Sequence, residues 1–420
     1  MQILLALRTG RLYTVSIEQW RSSDRARSII SRGNLLTEHR CRLMTALFLK
    51  EDVPMPMLKE GEVRIPSGCA ISGIFQKDGK CMSGEAIIRS IAVMHDRSNG
   101  LGGGFAAYGI YPEYRDFFAL HVFYETTEHK KTCESFLERH FDIINLSKIP
   151  TRKTRFITDE PLIWRYFVTP LPTKLIDSQL DERTFVAKCV FRINSDIAGA
   201  YVISSGKNMG VFKAVGFPED VGHFYRLDEY EGYCFIAHGR YPTNTPGWWG
   251  GAHPFALLDY AVVHNGEISS YDANRRSIEM HGYTCNLMTD TEVITYIIDY
   301  LHRIQGLTFP EIASVVAAPF WQTIEQMEDR ATLEYLRNVF SAQLITGPFS
   351  ILVGFDGGIM ALNDRLKLRS MVVGEKKETV YFSSEEAAIR AIEPDLDTIW
   401  SPQGGQPVLV YLNGGKPACL

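Results

Sequence analysis

The sequence lacks a long hydrophobic run and a marked excess of charge of either sign. No uninterrupted apolar run approaches the roughly 18 residues that a membrane-spanning helix needs. The 44 Lys and Arg against 49 Asp and Glu give a formal net charge of −5, which excludes the strongly basic composition typical of nucleic-acid-binding proteins. We therefore expect neither a membrane nor a nucleic acid as a partner. A hydrophobic content of 45% over 420 residues indicates a globular protein of one large domain or two average ones.

Clustered cysteines are also missing. The eight cysteines are scattered, none forms a Cys-x-x-Cys pair, and no Cys/His group has the spacing of a zinc or iron–sulfur site. We expect no metal and no cofactor in this chain. Most of these cysteines are interpreted as small buried hydrophobic residues in a reducing, cytoplasmic compartment. Cys69 needs a separate explanation, because it follows a Pro-Ser-Gly segment and begins a strand-like run.

Nucleotide-binding motifs are absent as well. The sequence contains no P-loop, Rossmann fingerprint or kinase motif set. Residues 100–104 read GLGGG, but they precede a predicted strand instead of linking a strand to a helix, as a phosphate-binding loop would. We therefore predict that this glycine run allows close backbone packing near Cys69, and that the chain alone binds no nucleotide or flavin.

Residues 1–68 differ in composition from the rest of the chain. They carry eleven Lys and Arg against seven Asp and Glu and are rich in Ser and Arg. They lack the charged segment, apolar segment and cleavage site of a secretory signal. We interpret them either as a leader or pro-segment, with an organellar transit peptide as one form of it, or as residues upstream of a true translation start at Met44, Met55 or Met57. We expect 69–420 to form a single domain.

From residue 69 onward, predicted strands and helices come in blocks and not in strict βαβ alternation. This pattern favours the α+β class with mainly antiparallel sheets. The predicted strands are 69–76, 102–111 and 117–125 (paired as a hairpin), 185–193, 233–237, 260–263, 349–355, 359–362, 371–373, 380–382 and 408–412. The predicted helices are 83–97, 127–141 and 289–304, followed by a helical region to about residue 344.

Four polar or glycine-rich motifs follow apolar runs in the middle of the chain. Loops placed in this way are more typical of catalytic sites than of packing surfaces. The motifs are HGRYPTNT at 238–245, GWWGGAHPF at 247–255, HNGEI at 264–268 and TDTE at 289–292, with GCAISGI at 68–74 upstream.

Together these motifs resemble those of class II glutamine amidotransferases, in which an N-terminal cysteine hydrolyses glutamine to glutamate and ammonia. The resemblance covers nearly all of 69–420. It implies the four-layer αββα sandwich of N-terminal-nucleophile hydrolases, a fold that periodicity alone does not give. One difference is Ala70, where the family usually has glycine after the nucleophile.

The resemblance makes Cys69 the nucleophile, and elementary chemistry shows what it would need. A thiol attacks a carboxamide only as the thiolate, and an ordinary cysteine has a pKa of about 8.5. A cysteine at a chain terminus has a base of its own, because its α-amine titrates at about 7.7–8.0. This requires removal of everything before Cys69. The alternative from the residues alone is a buried strand cysteine.

Asn265 and Gly266 are candidates for stabilising the negative charge that develops on the amide oxygen. An Asn side-chain amide and a Gly backbone N–H can both donate to that oxygen, and glycine tolerates the unusual dihedral angles of a turn. Asn-Gly is also the strongest short signal for a type I′ hairpin turn. The match to the family's oxyanion loop favours the catalytic interpretation.

Charged residues in the same motifs suit the two ends of free glutamine. Arg240 can bind the α-carboxylate with two hydrogen bonds, and Asp290 can pair with the α-ammonium group. The alternative for both is a solvated surface charge. The resemblance places Tyr241, Thr243 and His253 among the substrate contacts, although His253 could also be a structural histidine.

Within the family, the sequence is most similar to the glutamate synthase branch. The similarity lies in TPGWWGGAH at 245–253, AGAY at 198–201 and SSGKNMG at 204–210. These segments resemble the stand-alone amidotransferase subunit of archaeal-type glutamate synthase. Further matches are GPFSI at 347–351 and SSE at 383–385, which correspond to the closing strands of the domain.

This resemblance implies a glutaminase subunit that supplies ammonia to 2-oxoglutarate on a partner synthase subunit, where FMN and iron–sulfur clusters are expected. Three alternatives stay open. The chain could serve an N-methylglutamate synthase-like complex, it could be a free-standing N-terminal-nucleophile amide hydrolase, or it could be a pseudoenzyme scaffold. Retention of both Arg240 and Asp290 favours free glutamine as the substrate.

Overall fold

In a computed structural model of the chain, the structure describes residues 2–6, 12–16, 68–242 and 247–414. The chain divides into two compact units, Met1–Arg64 and Ile65–Leu420. In the first unit, the described residues form an antiparallel pair of strands, β1 (Gln2–Ala6) and β2 (Leu12–Ser16). The second unit contains all the motifs identified above. In the part of the chain described, no helix is long and apolar enough to cross a membrane.

The second unit alternates strands and helices along its length. Its strands are β3 (Ala70–Gln76), β4 (Met82–Ser83), β5 (Gly103–Tyr108), β6 (Phe118–Tyr124), β7 (Phe141–Lys148), β8 (Leu162–Pro170), β9 (Ala200–Ser204), β10 (Met209–Ala214), β11 (Glu231–Gly232), β12 (Cys234–Gly239), β13 (Phe255–Leu257), β14 (Tyr260–Gly266), β15 (Phe349–Phe355), β16 (Gly358–Asn363), β17 (Val372–Lys376), β18 (Thr379–Ser383), β19 (Thr398–Trp400) and β20 (Val408–Tyr411). Its helices are α1 (Glu85–Ala92), α2 (Thr127–His140), α3 (Pro172–Ser178), α4 (Glu182–Asp196), α5 (Pro218–Phe224), α6 (Tyr271–Met280), α7 (Asp290–Asp299), α8 (Phe309–Val316), α9 (Trp321–Ile324), α10 (Arg330–Val339) and α11 (Glu386–Arg390).

Two antiparallel sheets face each other in the centre of this unit. The larger sheet has seven strands in the order β10-β5-β12-β3-β18-β17-β19, and the smaller has five in the order β13-β14-β15-β16-β20. Strands β3 and β12 contact β14 and β15 across the interface. Because each sheet is covered on both faces, β3 and β15 are buried along almost their whole length and consist mainly of apolar residues.

Helices cover the outer faces of both sheets. Helices α1 and α5 pack against β3, β12 and β5, and α11 packs against β18. On the other side, α7 packs against β13 and β14, with α6 beside it. Helix α7 continues through a π-helical turn at Tyr300–Ile304. The layers are therefore helix, sheet, sheet and helix, which confirms the predicted α+β class and its four-layer αββα sandwich.

A third sheet corrects one of the sequence predictions. Strands β5 and β6 were predicted to form a hairpin, but β5 pairs with β10 and β12 of the large sheet. Strand β6 instead pairs with β8 and β9, in a four-stranded sheet of order β7-β8-β6-β9. Sequence proximity was misleading because the chain leaves the large sheet after β5 and forms all four strands of the third sheet before it returns to the large sheet at β10.

The predicted strand at 185–193 is also wrong, since these residues lie within α4. The segment FVAKCVFRI is apolar and β-branched, and short apolar runs of this kind do not distinguish a strand from a buried helix. The helix is specified at its start, where the Asp181 side chain accepts a hydrogen bond from the Thr184 N–H at 2.9 Å. The predicted helix at 83–97 is shorter than expected and ends at Ala92.

The glycine run at 100–104 packs closely against the loops that follow β12. A Cβ atom at Gly102 would lie 3.0 Å from Arg240 Cδ. A Cβ atom at Gly104 would clash with the His253 carbonyl oxygen and lie 2.7 Å from Lys213 Cβ. The run therefore lets the backbone approach Arg240 and His253 directly, as predicted from its position before a strand.

We predict that Gly104→Ala destabilises the protein by about 1–3 kcal/mol, because the added methyl group meets backbone that cannot move independently. Gly73→Ala is a matched control in β3, since its Cβ atom would meet the flexible end of Leu352, 2.9 Å from Cδ1. Urea unfolding should show a smaller loss for Gly73→Ala than for Gly104→Ala. Equal losses would contradict this interpretation of the glycine run.

Candidate active site

A cavity of about 300 Å³ lies where the two central sheets meet the start of α7. Its volume is at the small end of the range for small-molecule sites, about 300–1,000 Å³. Residues from five of the sequence motifs contribute to its wall. The lining residues are Cys69, Arg240, Tyr241, Pro242, His253, His264, Gly266, Glu267, Ile268, Tyr271, Met288, Thr289 and Asp290.

Cys69 lies directly before β3, so the strand fixes the position of its thiol at one end of the cavity. The Tyr241 backbone N–H points at its sulfur, with 3.4 Å between N and Sγ. Burial raises the pKa of the Cys69 thiol, while the Tyr241 N–H and the nearby Arg240 guanidinium oppose that rise. The Cys69 carbonyl oxygen accepts a hydrogen bond from Arg97 Nε at 3.1 Å.

Arg240 and Tyr241 reach Cys69 because of the register between two strands. Gly239, at the end of β12, pairs with Ala70 at the start of β3. The antiparallel direction then places the residues after Gly239 beside the residue before Ala70. Arg240 is 4% exposed, and its backbone N–H donates to the Gly102 carbonyl oxygen at 2.8 Å. Burial lowers the pKa of Arg240, and the neighbouring Cys69 and Asp290 oppose this effect.

Asn265 and Gly266 end β14, where they pair with Ser350 and Phe349 of β15. They therefore do not form a hairpin turn, and Gly266 does not adopt a positive φ angle. The predicted reason for glycine at this position, tolerance of unusual dihedral angles, is thus wrong. Glycine is required instead by close packing, because a Cβ atom at Gly266 would clash with the Pro348 carbonyl oxygen.

The Asn265 side chain is fully buried beside the cavity wall. Its Nδ2 atom lies 3.2 Å from Ser384 Oγ, and its Oδ1 atom has no hydrogen-bond partner among the described residues. Gly266, one residue further on, lines the cavity itself.

Asp290 begins α7, next to the N-cap residue Thr289. Its Oδ2 atom accepts a hydrogen bond from the Ile268 N–H at 3.3 Å, and its Oδ1 atom lies 3.6 Å from His264 Nδ1. Burial alone would raise the pKa of Asp290. The proximity of His264 and hydrogen bonds from Ile268 and Thr291 hold it below its usual value instead. A carboxylate at a helix N-terminus is further favoured by the helix dipole, so Asp290 is negatively charged at neutral pH.

Three buried histidines, His238, His253 and His264, lie next to these charged residues. The rings of His238 and His253 stack with 4.0 Å between centroids, and His238 Nε2 is 3.0 Å from the His264 carbonyl oxygen. The Thr291 hydroxyl lies 3.3 Å from His253 Nε2 and 3.2 Å from His264 Nδ1. Burial lowers the pKa of His238 to about 3 and that of His253 well below its usual value. His238 and His253 are thus neutral at neutral pH.

Lys213 fixes the loop that carries His253. This lysine is buried in β10, and its Nζ atom donates to the Gly250 carbonyl oxygen at 2.9 Å and to the Pro254 carbonyl oxygen at 3.3 Å. Burial lowers the pKa of Lys213 to about 7. No sequence pattern indicated this contact.

The structure brings together most of the side chains singled out from the sequence. Cys69, Arg240, Tyr241, His253, Gly266 and Asp290 all line one cavity, with Asn265 adjacent. Thr243 lies outside the described residues. Sequence reasoning missed the wall contributed by Ile268, Tyr271 and Met288, because apolar residues in loops and at helix starts carry no chemical signature. It also missed the Tyr241 N–H, because a backbone donor is invisible in the sequence.

Comparison with known proteins identifies the family. The model of the class II glutamine amidotransferases matches residues 117–410, which is more than half of the chain. The chain belongs to the class II glutamine amidotransferase family. The match includes Arg240, Asn265 and Asp290 and begins after Cys69.

Several curated proteins are similar to this amidotransferase. An uncharacterized protein of Archaeoglobus fulgidus is 48% identical over 346 residues, which cover 81% of this chain and 91% of the relative. The amidophosphoribosyltransferase of Methanocaldococcus jannaschii is 24% identical over 46% of this chain and 36% of its own length. The glutamine amidotransferase-like protein GlxB of Rhizobium meliloti is 26% identical over 50% of this chain and 61% of its own length.

A solved structure, the glutamine phosphoribosylpyrophosphate amidotransferase from B. subtilis, aligns with a TM-score of 0.42 and 13% identity. The alignment covers 82% of this chain and 47% of that chain, so the chain spans about half the length of this relative.

Within the described ranges, no group of three or more His, Cys, Asp or Glu side chains is arranged to hold a metal ion.

Proposed function

We propose that this chain is the glutaminase subunit of a multi-subunit glutamate synthase, with Cys69 as its nucleophile. The observation that supports the proposal most directly is that one cavity of about 300 Å³ is lined by a thiol, a guanidinium group and a carboxylate. Free glutamine carries a complementary set of groups, namely an electrophilic side-chain amide, an α-carboxylate and an α-ammonium group. Arg240 would bind the carboxylate through charge-assisted hydrogen bonds, and Asp290 would bind the ammonium group.

The reaction proceeds through a thioester. The Cys69 sulfur attacks the carbon of the side-chain amide, so that a C–S bond forms and the carbonyl oxygen becomes negatively charged. Collapse of this intermediate breaks the C–N bond, and the nitrogen leaves as ammonia with the proton that came from the thiol. Water then adds to the thioester, the C–S bond breaks, glutamate leaves and the thiol regains a proton.

The base in this scheme is the α-amine of Cys69, which becomes free only when the Gly68–Cys69 bond is cut. Two arginine side chains lie close to Gly68, the residue before this bond. A Cβ atom at Gly68 would lie 3.6 Å from Arg369 Nη1 and 3.8 Å from Arg97 Nη2. His253 and His264 line the cavity, and the Thr291 hydroxyl lies within 3.3 Å of both rings. Because this contact holds the two rings in place, we assign them to shaping the cavity wall and not to proton transfer.

Charge stabilisation at the intermediate is assigned to Asn265 and Gly266. The Asn265 amide would donate to the developing oxyanion together with the Gly266 backbone N–H. Tyr241 and His253 complete the wall around the substrate. Thr243 is proposed as a further substrate contact on the basis of the sequence resemblance alone.

The acceptor of the ammonia would lie on a partner subunit. The glutamate synthase assignment is supported by the segments at 198–201, 204–210 and 245–253, and it implies a cytoplasmic complex in which the partner binds FMN, iron–sulfur clusters and 2-oxoglutarate. An N-methylglutamate synthase-like complex would use the same glutaminase chemistry. The assignment is tested by purifying this chain with its partner and measuring which 2-oxo acid or amine acceptor consumes the ammonia.

Cys69→Ala should abolish glutamine hydrolysis and leave the fold intact, since it removes one sulfur atom at the start of a strand. Ammonia-dependent synthesis by the complex with its partner subunit should persist, because ammonia bypasses the glutaminase site. Cys133→Ala is a matched control, since Cys133 is fully buried in α2 and does not line the cavity. Loss of both activities in Cys69→Ala would mean that Cys69 is structural and would contradict the proposal.

Arg240→Ala and Asn265→Ala should affect different kinetic constants. Arg240→Ala should chiefly raise the KM for glutamine, because the carboxylate is bound alike in the ground state and the transition state. Asn265→Ala should lower kcat by about 10²–10³-fold with little change in KM, because its donor meets full negative charge only in the intermediate.

Asn274→Ala is the control for the second variant. Asn274 is 2% exposed in α6, its Nδ2 atom donates to the Ala342 and Leu344 carbonyl oxygens, and it is not among the residues that line the cavity. Steady-state kinetics should show an unchanged kcat for this control. A change in KM alone for Asn265→Ala would refute its assignment to the oxyanion.

A further inference from the structure

The Ser384 hydroxyl connects the strand that follows Cys69 with the Asn265 side chain. Ser384 comes directly after β18 and is 2% exposed. Its Oγ atom accepts a hydrogen bond from the Ile71 N–H at 3.1 Å, and its own N–H donates to the Ile71 carbonyl oxygen at 3.0 Å. The same Oγ atom lies 3.2 Å from Asn265 Nδ2. One hydroxyl therefore touches both the strand that begins at the thiol and the amide assigned to the oxyanion.

The Ser384 hydroxyl can either accept from the Asn265 amide or donate to it. A serine hydroxyl has one hydrogen to donate and two lone pairs to accept with. The Ile71 N–H occupies one lone pair. Asn265 Oδ1 is buried without a hydrogen-bond partner among the described residues, although buried carbonyl groups are nearly always paired.

Rotating the Asn265 amide by 180° would pair its oxygen with the Ser384 hydroxyl and would place its nitrogen at the position that has no partner among the described residues. The oxygen and nitrogen of an amide have nearly the same shape, so that hydrogen bonding decides which of them faces a given neighbour. In the rotated form, the Ser384 hydroxyl donates to Asn265 Oδ1. The amide nitrogen then occupies the position of the unpartnered oxygen, and both of its hydrogens are available to other acceptors.

We propose that Ser384 is a positioning residue, whose hydroxyl donates to Asn265 Oδ1 and thereby directs the amide hydrogens toward the oxyanion. The inference rests on the proposed function, because it assumes that Asn265 stabilises the intermediate. Ser384 itself does not touch the substrate. Its role is to exclude the amide orientation that would present a carbonyl oxygen to a negative charge.

The first test is the steady-state kinetics of Ser384→Ala. Loss of the hydroxyl removes the preference between the two amide orientations, so kcat for glutamine should fall by about 10- to 100-fold. KM should change little, because Arg240 and Asp290 are assigned to ground-state binding. Ser383→Ala is the matched control. Ser383 is equally buried, but its hydroxyl lies 3.5 Å from the Ile71 carbonyl oxygen and 3.5 Å from Met94 Sδ, with no contact to Asn265 among those described.

A pair of isosteric variants separates the hydroxyl from the packing. Ser384→Thr keeps the hydroxyl and adds a methyl group. Ser384→Val has the same shape as Ser384→Thr but lacks the hydroxyl. If the proposal is correct, kcat of Ser384→Thr exceeds that of Ser384→Val by at least tenfold. Equal kcat values, at equal thermal midpoints, would overturn the proposal and leave Ser384 with only a structural role between β18 and β3. This comparison also decides the question if Ser384→Ala fails to fold.

A double-mutant cycle distinguishes failure of this inference from failure of the proposed function. Because Ser384 acts through Asn265, adding Ser384→Ala to Asn265→Ala should cause no further loss of kcat. Full additivity would overturn the inference alone. If Asn265→Ala by itself left kcat unchanged, the oxyanion assignment and this inference would both fall, while the assignment of Cys69 would still rest on its own variant.

Discussion

The antiparallel register between β3 and β12 is the constraint on which the site depends. Pairing of Gly239 with Ala70 places the residues after β12 beside Cys69, so that the Tyr241 N–H reaches the sulfur and Arg240 reaches the cavity. A shift of one residue would turn the side chains of β12 to the opposite face. Burial of both strands between helices and the second sheet makes such a shift costly, because apolar side chains would lose their packing.

The distribution of charge at the site follows from burial. The pKa of His238 and that of His253 are lowered by desolvation, so these two stacked rings stay neutral, with His253 at the cavity wall. Charge is concentrated at the cavity wall instead. There, His264 and the Ile268 N–H stabilise the Asp290 carboxylate, and Arg240 follows the last residue of β12. In the proposed function, a site arranged in this way would bind a zwitterionic substrate by its charged end and leave the reacting amide beside the thiol.

The sequence predicts the polar part of this site and the class of the fold. It does not predict how the segments between the motifs pair and fold. The Arg240 motif is recognisable because polar residues interrupt an apolar run where β12 ends, whereas the role expected of Cys69 came from the resemblance to class II glutamine amidotransferases. The third sheet and α4 were missed because the pairing of β6 depends on distant strands and because an apolar helix resembles a strand. No local pattern records three-dimensional packing. For that reason the sequence did not predict the backbone donors, the close contacts at Gly266 or the contact of the Ser384 hydroxyl with Asn265.

The central claim is that Cys69 acts with its own α-amine as the base. Intact-mass measurement and N-terminal sequencing of protein that is hydrolysing glutamine test this claim most directly. We predict that the active polypeptide begins at Cys69 with an unmodified amine, and that a population retaining Gly68 does not turn over glutamine. Full activity in a chain that still carries residues before Cys69 would contradict the account, because the cysteine nitrogen would then be an amide with no basic lone pair.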